Sequence, residues 1–354
     1  MDGPFPLTEL QEAYLVGTSD GIELGGFRPN FYFELDMAGL DPARAAAAVD
    51  QLIRRHEQLR TVLLPDGGQQ ALRPDQVPPF PIPISDLRGR APDRQEEGLR
   101  ATREQMLEDG PDPFRWPMFR IAVTRIRSHR CRVHVAMSLL LADAHSVWLL
   151  ISEWLELVRD PAAAQARPRL TFRDCVRAIA QDQDSPGFAA HWDYWEARLD
   201  SLGPAPALPL ARPVAGLSRV RFVRRSCRLS AAEWTRFRAN CRQHRLMPSA
   251  ALAHVYAETL GAWAAHPRFC LNVLHLGWLQ RHPEWTGVVG QLGATLPLEV
   301  DLSLDDGFWD RGQRLQGQLW RDLEHCDVTA VRVMRSYPQS NLAEGFGKES
   351  LDRH

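Results

Sequence analysis

Ser138, Asp143 and His145 lie close together in the sequence, where an alternating strand pattern ends. A serine hydroxyl becomes a nucleophile when an adjacent base takes its proton, and His134 or His145 could be that base. Asp143 could itself act as a general base. We therefore treat the three residues as the candidate catalytic set.

Each of the three residues also has a structural interpretation. No Gly-x-Ser-x-Gly turn surrounds Ser138, and a serine on a strand face is commonly a hydrogen-bonded core hydroxyl. A carboxylate at the end of a strand, such as Asp143, is often an anchor for backbone groups. On this interpretation His145 is a satisfied or exposed ring. Both interpretations remain open from the sequence.

The elements that must position these residues follow from periodicity. Residues 131–138 alternate, which predicts a strand with Ser138 and His134 on one face and Val133, Val135 and Met137 on the other. Helical spacing follows at Val147, Leu150, Ile151, Trp154 and Leu155. We expect Ser146 to cap that helix.

Other elements are marked by local signals. Capping boxes at Thr8 and Ser230 and an Asp-Pro pair at residues 41–42 predict helix starts. Residues 30–36 and 268–276 have strand patterns, whereas residues 248–263 and 305–325 have helical ones. We expect the tryptophans of the helices to pack in the core; they are Trp148, Trp154, Trp192, Trp195 and Trp263.

Composition limits the class of protein. The chain has 354 residues, 44% of them hydrophobic, and a formal net charge of −2. That charge favours neither nucleic acid nor an anionic membrane as a partner. No apolar run reaches the roughly 20 residues of a membrane helix, and the N-terminus lacks signal-peptide features, so we expect a cytoplasmic protein. The six cysteines include no CxxC pair, so we expect reduced, mostly buried thiols and no metal site.

A Pro/Ala-rich stretch suggests two lobes. Residues 202–216 favour extended geometry without a packed core, and we interpret them as a linker. Residues 1–201 then form an N-terminal lobe and residues 217–336 a C-terminal lobe. Residues 337–354 are rich in Gly, Ser and charged residues, which is typical of a frayed tail.

The opening segment, residues 5–17, reads Phe-Pro-Leu-Thr-Glu-Leu-Gln-Glu-Ala-Tyr-Leu-Val-Gly. It resembles the first motif of heterocyclization domains, the condensation-domain subfamily of nonribosomal peptide synthetases that forms thiazoline and oxazoline rings. Further landmarks follow in the family's order: Arg-His-Glu-Gln-Leu-Arg at 55–60, Trp-Pro-Met-Phe at 116–119, Tyr-Trp-Glu-Ala-Arg-Leu at 194–199 and Leu-Glu-Val-Asp at 298–301. The resemblance implies an α/β fold of two chloramphenicol-acetyltransferase-like lobes, the second of them incomplete.

The core motif departs from the family's pattern. The family has Asp, four residues, Asp, and then Ala-Trp-Ser, whereas this chain has Ser138, Asp143 and then Ala-His-Ser. The first acid is therefore replaced, and His145 stands where the family has tryptophan. The His-His-x-x-x-Asp-Gly motif of standard condensation domains is absent, because Leu139 stands at its catalytic histidine.

The resemblance places Asn272, Trp278 and Gln291 along the substrate tunnel. Trp278 stands where the family has an arginine that is expected to pair with Asp143. We therefore expect Asp143 to lack its usual partner. A buried carboxylate without a partner costs at least about a few kcal/mol or takes up a proton.

The resemblance stops at about residue 335. The family continues into a Pro-Val-Val-Phe-Thr-Ser strand and a Gln-Thr-Pro-Gln-Val segment, which carry the Thr and Asp implicated in cyclodehydration. Neither segment occurs in this sequence. We therefore expect ring closure to be impaired and the C-terminal lobe to be partial.

Residues 219–245 contain nine arginines and one acid, Glu233. Such a strip could bind an acidic carrier-protein helix or a phosphopantetheine phosphate, with Arg224, Arg225 and Arg228 as candidates. It could equally be a solvated face. No aromatic ladder interleaves the arginines, so we do not expect nucleic-acid binding.

Two functions remain open. The resemblance implies an acyltransferase that joins carrier-bound acyl and Cys, Ser or Thr groups in secondary metabolism of the siderophore type. It would bind no cofactor or metal, and its substrates would arrive on 4′-phosphopantetheine arms of peptidyl or aryl carrier proteins or neighbouring synthetase modules. The alternative is a non-catalytic remnant that docks a carrier. The altered core leaves the enzyme assignment open.

Overall fold

The computed structural model describes residues 3–19, 25–107, 110–163, 168–211 and 225–337. Its strands are β1 (Phe5–Pro6), β2 (Asn30–Ala38), β3 (Thr61–Leu63), β4 (Gly68–Ala71), β5 (Ile84–Asp86), β6 (Phe119–Arg127), β7 (Arg130–Ser138), β8 (Arg268–His275) and β9 (Ala294–Asp301). The fold is mixed α/β, as predicted.

The helices are interspersed with these strands along the chain. They are α1 (Glu9–Val16), α2 (Pro42–Arg55), α3 (Pro92–Leu107), α4 (Ala144–Arg159), α5 (Phe172–Asp182), α6 (Pro186–Glu196), α7 (Ala231–Gln243), α8 (Pro248–Gly261), α9 (Gly277–Arg281), α10 (Phe308–Glu324) and α11 (Ala330–Arg335). No described helix is long and apolar enough to cross a membrane.

The chain divides into two compact units that do not follow sequence order. The first contains Gly26–Gln181 and the N-terminal segment, together with Trp278–Gly293. The second contains Asp182–Gly277 and the chain from Ala294 onward. The linker expected at residues 202–216 remains a prediction, because residues 212–224 lie outside the described part of the chain, as does most of the expected tail at 337–354.

The first unit is built on a four-stranded sheet with the order β2-β7-β6-β5. β7 pairs antiparallel with both β2 and β6, and β5 pairs parallel with β6. The β7 side chains Val133, Val135 and Met137 lie in the main hydrophobic core with Leu150 and Trp154 of α4. This is the face predicted from the alternation. A smaller sheet, β1-β4-β3, completes the unit.

The second unit contains the antiparallel pair β8 and β9, against which α10 and α11 pack. Trp195 of α6 is fully buried in its core, and its indole Nε1 donates to the carbonyl of His325 at 2.9 Å. The Tyr194 hydroxyl and the Arg198 guanidinium both donate to the buried carboxylate of Asp322. The Tyr-Trp-Glu-Ala-Arg-Leu landmark is thus a packing motif.

Most helix starts agree with the sequence. Thr8 and Ser230 each form the predicted capping box, and the Asp41 side chain accepts from the Ala43 amide at the start of α2. The prediction that the tryptophans of the helices pack in the core is confirmed for Trp154 and Trp195 but wrong for two others. Trp148 is 69% exposed and Trp263 is 68% exposed.

The cysteines agree with the prediction of reduced, mostly buried thiols. All six are free, and four of them are buried. In the described part of the chain, no group of three or more His, Cys, Asp or Glu side chains is arranged to hold a metal ion.

Candidate functional site

The candidate residues lie around the loop that follows β7, residues 139–143, which we call the strand-end loop. Ser138, the last residue of β7, directly precedes this loop and is 2% exposed. Its hydroxyl accepts a hydrogen bond from the Leu140 amide at 3.2 Å, and its carbonyl accepts from the Leu141 amide at 3.0 Å. Local bonds of this kind stabilise a tight turn. Ser138 therefore shapes the loop.

His134 shares a face with Ser138 but is engaged elsewhere. Its Nδ1 lies 2.9 Å from the Tyr32 hydroxyl and its Nε2 lies 3.1 Å from the Thr124 hydroxyl. Because Tyr32 donates to Glu34 at 2.8 Å, the neutral ring donates from Nδ1 and accepts at Nε2. Both ring nitrogens are occupied, so His134 cannot activate Ser138.

Burial lowers the pKa of His134, which favours the neutral ring in the folded state. A histidine with a lowered pKa contributes stability that is present above its unfolded value of about 6.5 and is lost as the pH falls through the folded value. We expect the free energy of unfolding of the first unit to decrease between pH 7.5 and 5.5, as measured by urea titration.

His134→Gln should lose most of that pH dependence, because its amide can bridge the same two hydroxyls without titrating. Glu34 does not contribute in this pH range, because the pKa of its carboxyl is lowered and it titrates at more acidic pH. An NMR titration that placed the pKa of His134 at or above about 6.5 would contradict the prediction.

Asp143 begins the helix that follows the loop. Its Oδ1 accepts from the Ser146 amide at 2.8 Å and its Oδ2 accepts from the Leu292 amide at 3.0 Å. Asp143 is therefore the N-cap of α4, and the prediction that Ser146 has this role is wrong. The expectation that Asp143 lacks a partner is also wrong, because two backbone N–H groups replace the expected arginine.

The electrostatics of Asp143 combine two opposing effects. Burial raises the pKa of its carboxyl, while the N–H groups of Ser146 and Leu292 favour the charged form and lower it. Burial is the larger effect. With both oxygens occupied by backbone donors, Asp143 has the anchoring role proposed among the alternatives.

Further hydrogen bonds join the segment 288–293 to the strand-end loop and to the first turn of α4. The Ser146 hydroxyl donates to the Gly290 carbonyl at 2.8 Å and accepts from the Gly290 amide at 3.0 Å. The Gly290 carbonyl also accepts from the Asp143 amide at 3.1 Å. Two distant stretches of chain thus form one rigid substructure.

Three buried glutamines hold the strand-end loop from outside. Gln291 donates its side-chain amide to the carbonyl of Leu139 at 2.7 Å, Gln11 donates to that of Leu140 at 2.6 Å, and Gln58 donates to that of Leu141 at 3.3 Å. We call Gln11, Gln58 and Gln291 the glutamine clamp. Three consecutive carbonyls are thereby satisfied by side chains.

The clamp explains two of the sequence landmarks. Gln11 lies in the opening motif and Gln58 in the Arg-His-Glu-Gln-Leu-Arg motif. Both motifs were recognised in the sequence, but neither glutamine was predicted to be a site residue. The available signal was a glutamine at a helix position facing the core, since a buried amide needs partners. Gln291, predicted to line the tunnel, is 2% exposed and also accepts from the Gly293 amide.

The remaining predicted residues lie apart from this network. The His145 Nε2 donates to the carbonyl of Thr286 at 2.8 Å, which leaves Nδ1 as the unprotonated nitrogen of the neutral ring. Trp278 is buried near Trp285, and the Arg281 guanidinium lies 5.0 Å from its ring centroid. Trp278 therefore does not replace the arginine as a partner of Asp143.

Asn272 lies on β8 in the second unit, where its side chain is exposed. Arg225 and Arg228 are exposed residues that precede α7. Arg224 lies outside the described residues. The carrier-binding role expected of the three arginines remains a prediction.

Comparison with known proteins places this geometry in context. The family model for the condensation domain matches residues 4–342. Pyochelin synthetase PchF of Pseudomonas aeruginosa is 32% identical over 333 residues, which cover 94% of this chain and 18% of that protein. Phenyloxazoline synthase MbtB of Mycolicibacterium paratuberculosis is 33% identical over 334 residues, which cover 94% of this chain and 28% of that protein.

Among solved structures, the cyclization-docking bidomain of the nonribosomal peptide synthetase EpoB from Sorangium cellulosum is similar, with a TM-score of 0.86 and 30% identity. The match covers 97% of this chain and 69% of that one. The chain therefore spans a minor part of the synthetases that it matches and most of the length of a cyclization-docking structure.

Proposed function

The chain belongs to the condensation-domain family, and we propose that it is a heterocyclization-type member that joins carrier-bound groups without closing a ring. The substrates would be an acyl group and a Cys, Ser or Thr group, each on the phosphopantetheine arm of a carrier protein or a neighbouring module. Carrier-delivered substrates would place the reaction in the cytoplasm, with no bound cofactor.

The likeness to PchF, MbtB and EpoB supports the substrate class. MbtB is a phenyloxazoline synthase and the EpoB structure contains a cyclization domain. Both relate this chain to proteins whose names refer to ring formation, and the carrier-bound substrates are part of what we propose for this chain.

The observation that carries the proposal is that backbone N–H groups occupy both carboxylate oxygens of Asp143. Amide formation requires the amine to attack the thioester carbonyl, with formation of the C–N bond, departure of the thiolate and loss of one proton from the amine. Holding both reactants in line can supply several kcal/mol of that barrier without a strong base. A strand-end loop fixed by the glutamine clamp and Asp143 suits such a positioning role.

Ring closure makes a stronger demand. It adds a side-chain thiol or hydroxyl to the new amide and expels water, so protons must be both removed and delivered. The hydroxyl of Ser138 and the carboxylate of Asp143 are committed to backbone groups. Of the candidate set, His145 alone has a nitrogen, Nδ1, without a hydrogen-bond partner among the described residues. We therefore propose that cyclodehydration is impaired.

The second candidate function is a non-catalytic carrier-docking domain. It is favoured by the same commitment of Ser138 and Asp143, because a loop that only maintains shape would have these bonds. The exposed Arg225 and Arg228 would then matter more than the loop.

A carrier assay distinguishes these functions. The chain is incubated with one carrier protein loaded with an aryl or aminoacyl thioester and a second loaded with cysteine, and both carriers are measured by intact-protein mass spectrometry. We expect the acyl group to move to the cysteinyl carrier with no further loss of one water. His145→Gln tests whether the free ring nitrogen contributes.

Acyl transfer followed by loss of water would contradict the proposal that ring closure is impaired. No transfer, combined with retained carrier binding that Arg225→Glu and Arg228→Glu weaken, would support the docking function. Neither transfer nor binding with any carrier pair would contradict both. A heat-denatured sample controls for spontaneous aminolysis of the thioester.

A further inference from the structure

The first unit contains a cavity of about 210 Å³ that the proposed chemistry does not use. Three stretches of that unit contribute to its lining: residues 54–60 at the end of α2, residues 168–172 at the start of α5, and Val288 with Val289. Pockets for drug-sized ligands begin at about 300 Å³, whereas one water molecule occupies about 30 Å³ of the liquid. The cavity therefore has room for a small ion or molecule.

The charged side chains of the cavity favour an anion. Arg54, Arg55 and Arg60 line it, and Glu57 is the only acid among its described lining residues. Arg54 is exposed and makes no ion pair or hydrogen bond through its side chain within the described part of the chain. A guanidinium without a carboxylate partner can bind an oxyanion through two parallel N–H groups.

A buried histidine opens onto the same cavity. His56 is 3% exposed, and its Nε2 lies 2.6 Å from Oε2 of Glu153 on α4. Because Glu153 also forms an ion pair with Arg55, it is a carboxylate and can only accept. The Nε2 of His56 therefore carries the proton, and the neutral ring has its lone pair on Nδ1.

The Nδ1 of His56 is available to a ligand. The Arg55 Nε lies 3.3 Å from the other ring nitrogen, Nε2, and no described residue forms a hydrogen bond with Nδ1. Nor is Nδ1 among the described side-chain nitrogens that protein atoms enclose without a partner. Since His56 lines the cavity, this nitrogen faces it.

We propose that this cavity binds a phosphate group, either as inorganic phosphate or as part of a small phosphate monoester. The exposed guanidinium of Arg54 would bind two of its oxygens, and the charges of Arg55 and Arg60 would add to the positive potential. A third oxygen would share one proton with Nδ1 of His56. That proton can lie on either atom, because a phosphate monoester gains its second proton near neutral pH, at about pH 6.

The lone pair on Nδ1 distinguishes between anions. A carboxylate or a sulfate at neutral pH has only acceptor oxygens, so one of them would face the lone pair of a neutral ring. Phosphate has or readily takes up a proton that it can donate. A phosphodiester, such as the phosphopantetheine arm of a carrier protein, has no such proton. The inference therefore does not depend on the proposed chemistry.

Binding at this cavity would affect the strand-end loop. Gln58 lines the cavity and donates to the carbonyl of Leu141 at 3.3 Å. Val289, on another wall, directly precedes Gly290, whose amide and carbonyl bond to the hydroxyl of Ser146. A phosphate held between these walls would stabilise two of the contacts that fix the loop.

Isothermal titration calorimetry of the intact chain at neutral pH tests the proposal with three probes: inorganic phosphate, phenyl phosphate and sulfate. We expect both phosphates to bind at one site and sulfate to bind roughly tenfold more weakly, because it lacks one hydrogen bond. Tighter binding of phenyl phosphate would support a monoester as the ligand, and equal affinities would support free phosphate. Hydrogen exchange at the Gly290 and Leu292 amides should slow when phosphate binds.

Two variants separate the contacts. Arg54→Ala should weaken phosphate binding at least about tenfold, since it removes a bidentate ion pair. His56→Gln can still donate to Glu153 but has no titrating nitrogen, so it should remove most of the preference for phosphate over sulfate. Arg44→Ala is the matched control, because Arg44 is exposed on the same helix and does not line the cavity. It should leave binding unchanged.

Absence of binding by either phosphate at millimolar concentration would overturn the proposal. So would equal affinities for phosphate and sulfate in the unaltered chain, or equal effects of Arg54→Ala and Arg44→Ala. Circular dichroism shows whether His56→Gln remains folded. Arg54→Ala keeps the test decisive if it does not, because the Arg54 side chain bonds to no other described residue.

Discussion

Asp143→Ala is expected to lower the free energy of unfolding of the first unit by about 3 kcal/mol. Loss of an N-cap costs about 1 kcal/mol, and leaving the buried Leu292 amide without an acceptor costs a further 1–3 kcal/mol or so. The change removes both bonds at once. Urea titration with hydrogen exchange of α4 amides measures the loss unit by unit.

Asp41→Ala is the matched control, because Asp41 caps α2 by one bond to the Ala43 amide and is exposed. It should cost only about 1 kcal/mol. Equal losses for the two variants would mean that the bond from Leu292 contributes nothing to stability.

Asp143→Asn distinguishes the effect of the carboxyl charge from that of the N-cap hydrogen bond. Its side-chain oxygen can still accept from Ser146, but its amide nitrogen would face the Leu292 N–H, so we expect an intermediate loss. Burial raises the pKa of Asp143 above its unfolded value of about 3.8, so the fold favours the protonated form. The free energy of unfolding of the wild type should therefore fall as the pH rises from the unfolded-state pKa of Asp143 to its folded-state pKa. Asp143→Asn should remove this pH dependence, because an amide does not titrate.

Gly290→Ala is expected to destabilise the first unit by about 3 kcal/mol or more. A Cβ atom at Gly290 would lie 2.0 Å from Cδ2 of Phe172, whose ring is 1% exposed and packs edge-to-face on Phe5. Neither the ring nor the backbone of Gly290, which bonds to Ser146, can move freely. Urea titration of the variant measures the loss.

Gly287→Ala is the control in the same segment, because a Cβ there meets no atom within 4 Å. It should change stability by less than about 0.5 kcal/mol. Phe172→Leu in the Gly290→Ala background should recover part of the loss, since a smaller side chain leaves room for the new methyl group. A double variant no more stable than Gly290→Ala would show that the clash is not with Phe172.

Local signals in the sequence were sufficient for most secondary structure. The start of α1 at Thr8 and of α7 at Ser230 follows from residues three positions apart, because capping boxes are closed within one turn. The strand β7 and its core face follow from alternation. Ser146 was mistaken for the cap of α4 because Asp143, three residues earlier, was considered only as a candidate catalytic residue.

The candidate site was less accessible to sequence reasoning. The expected loss of a partner for Asp143 considered only side chains, and the amide of Leu292 lies 149 residues away in the chain. The glutamine clamp joins residues 129, 83 and 152 positions apart. Trp148 and Trp263 were placed in the core from residue type alone, although Trp148 lies on the exposed face of α4 and Trp263 follows the end of α8. Contacts of this range depend on the tertiary fold.

The place of Trp278–Gly293 in the first unit has a consequence for the order of synthesis. The strand-end loop emerges from the ribosome long before the segment that supplies Leu292, Gly290 and Gln291 to it. Domains generally fold as units during translation, beginning from the N-terminus. The first unit instead lacks the hydrogen bonds from Leu292, Gly290 and Gln291 until almost a hundred further residues, which belong to the second unit, have been made. During this period of synthesis, the nascent first unit should be most vulnerable to proteases and most dependent on chaperones.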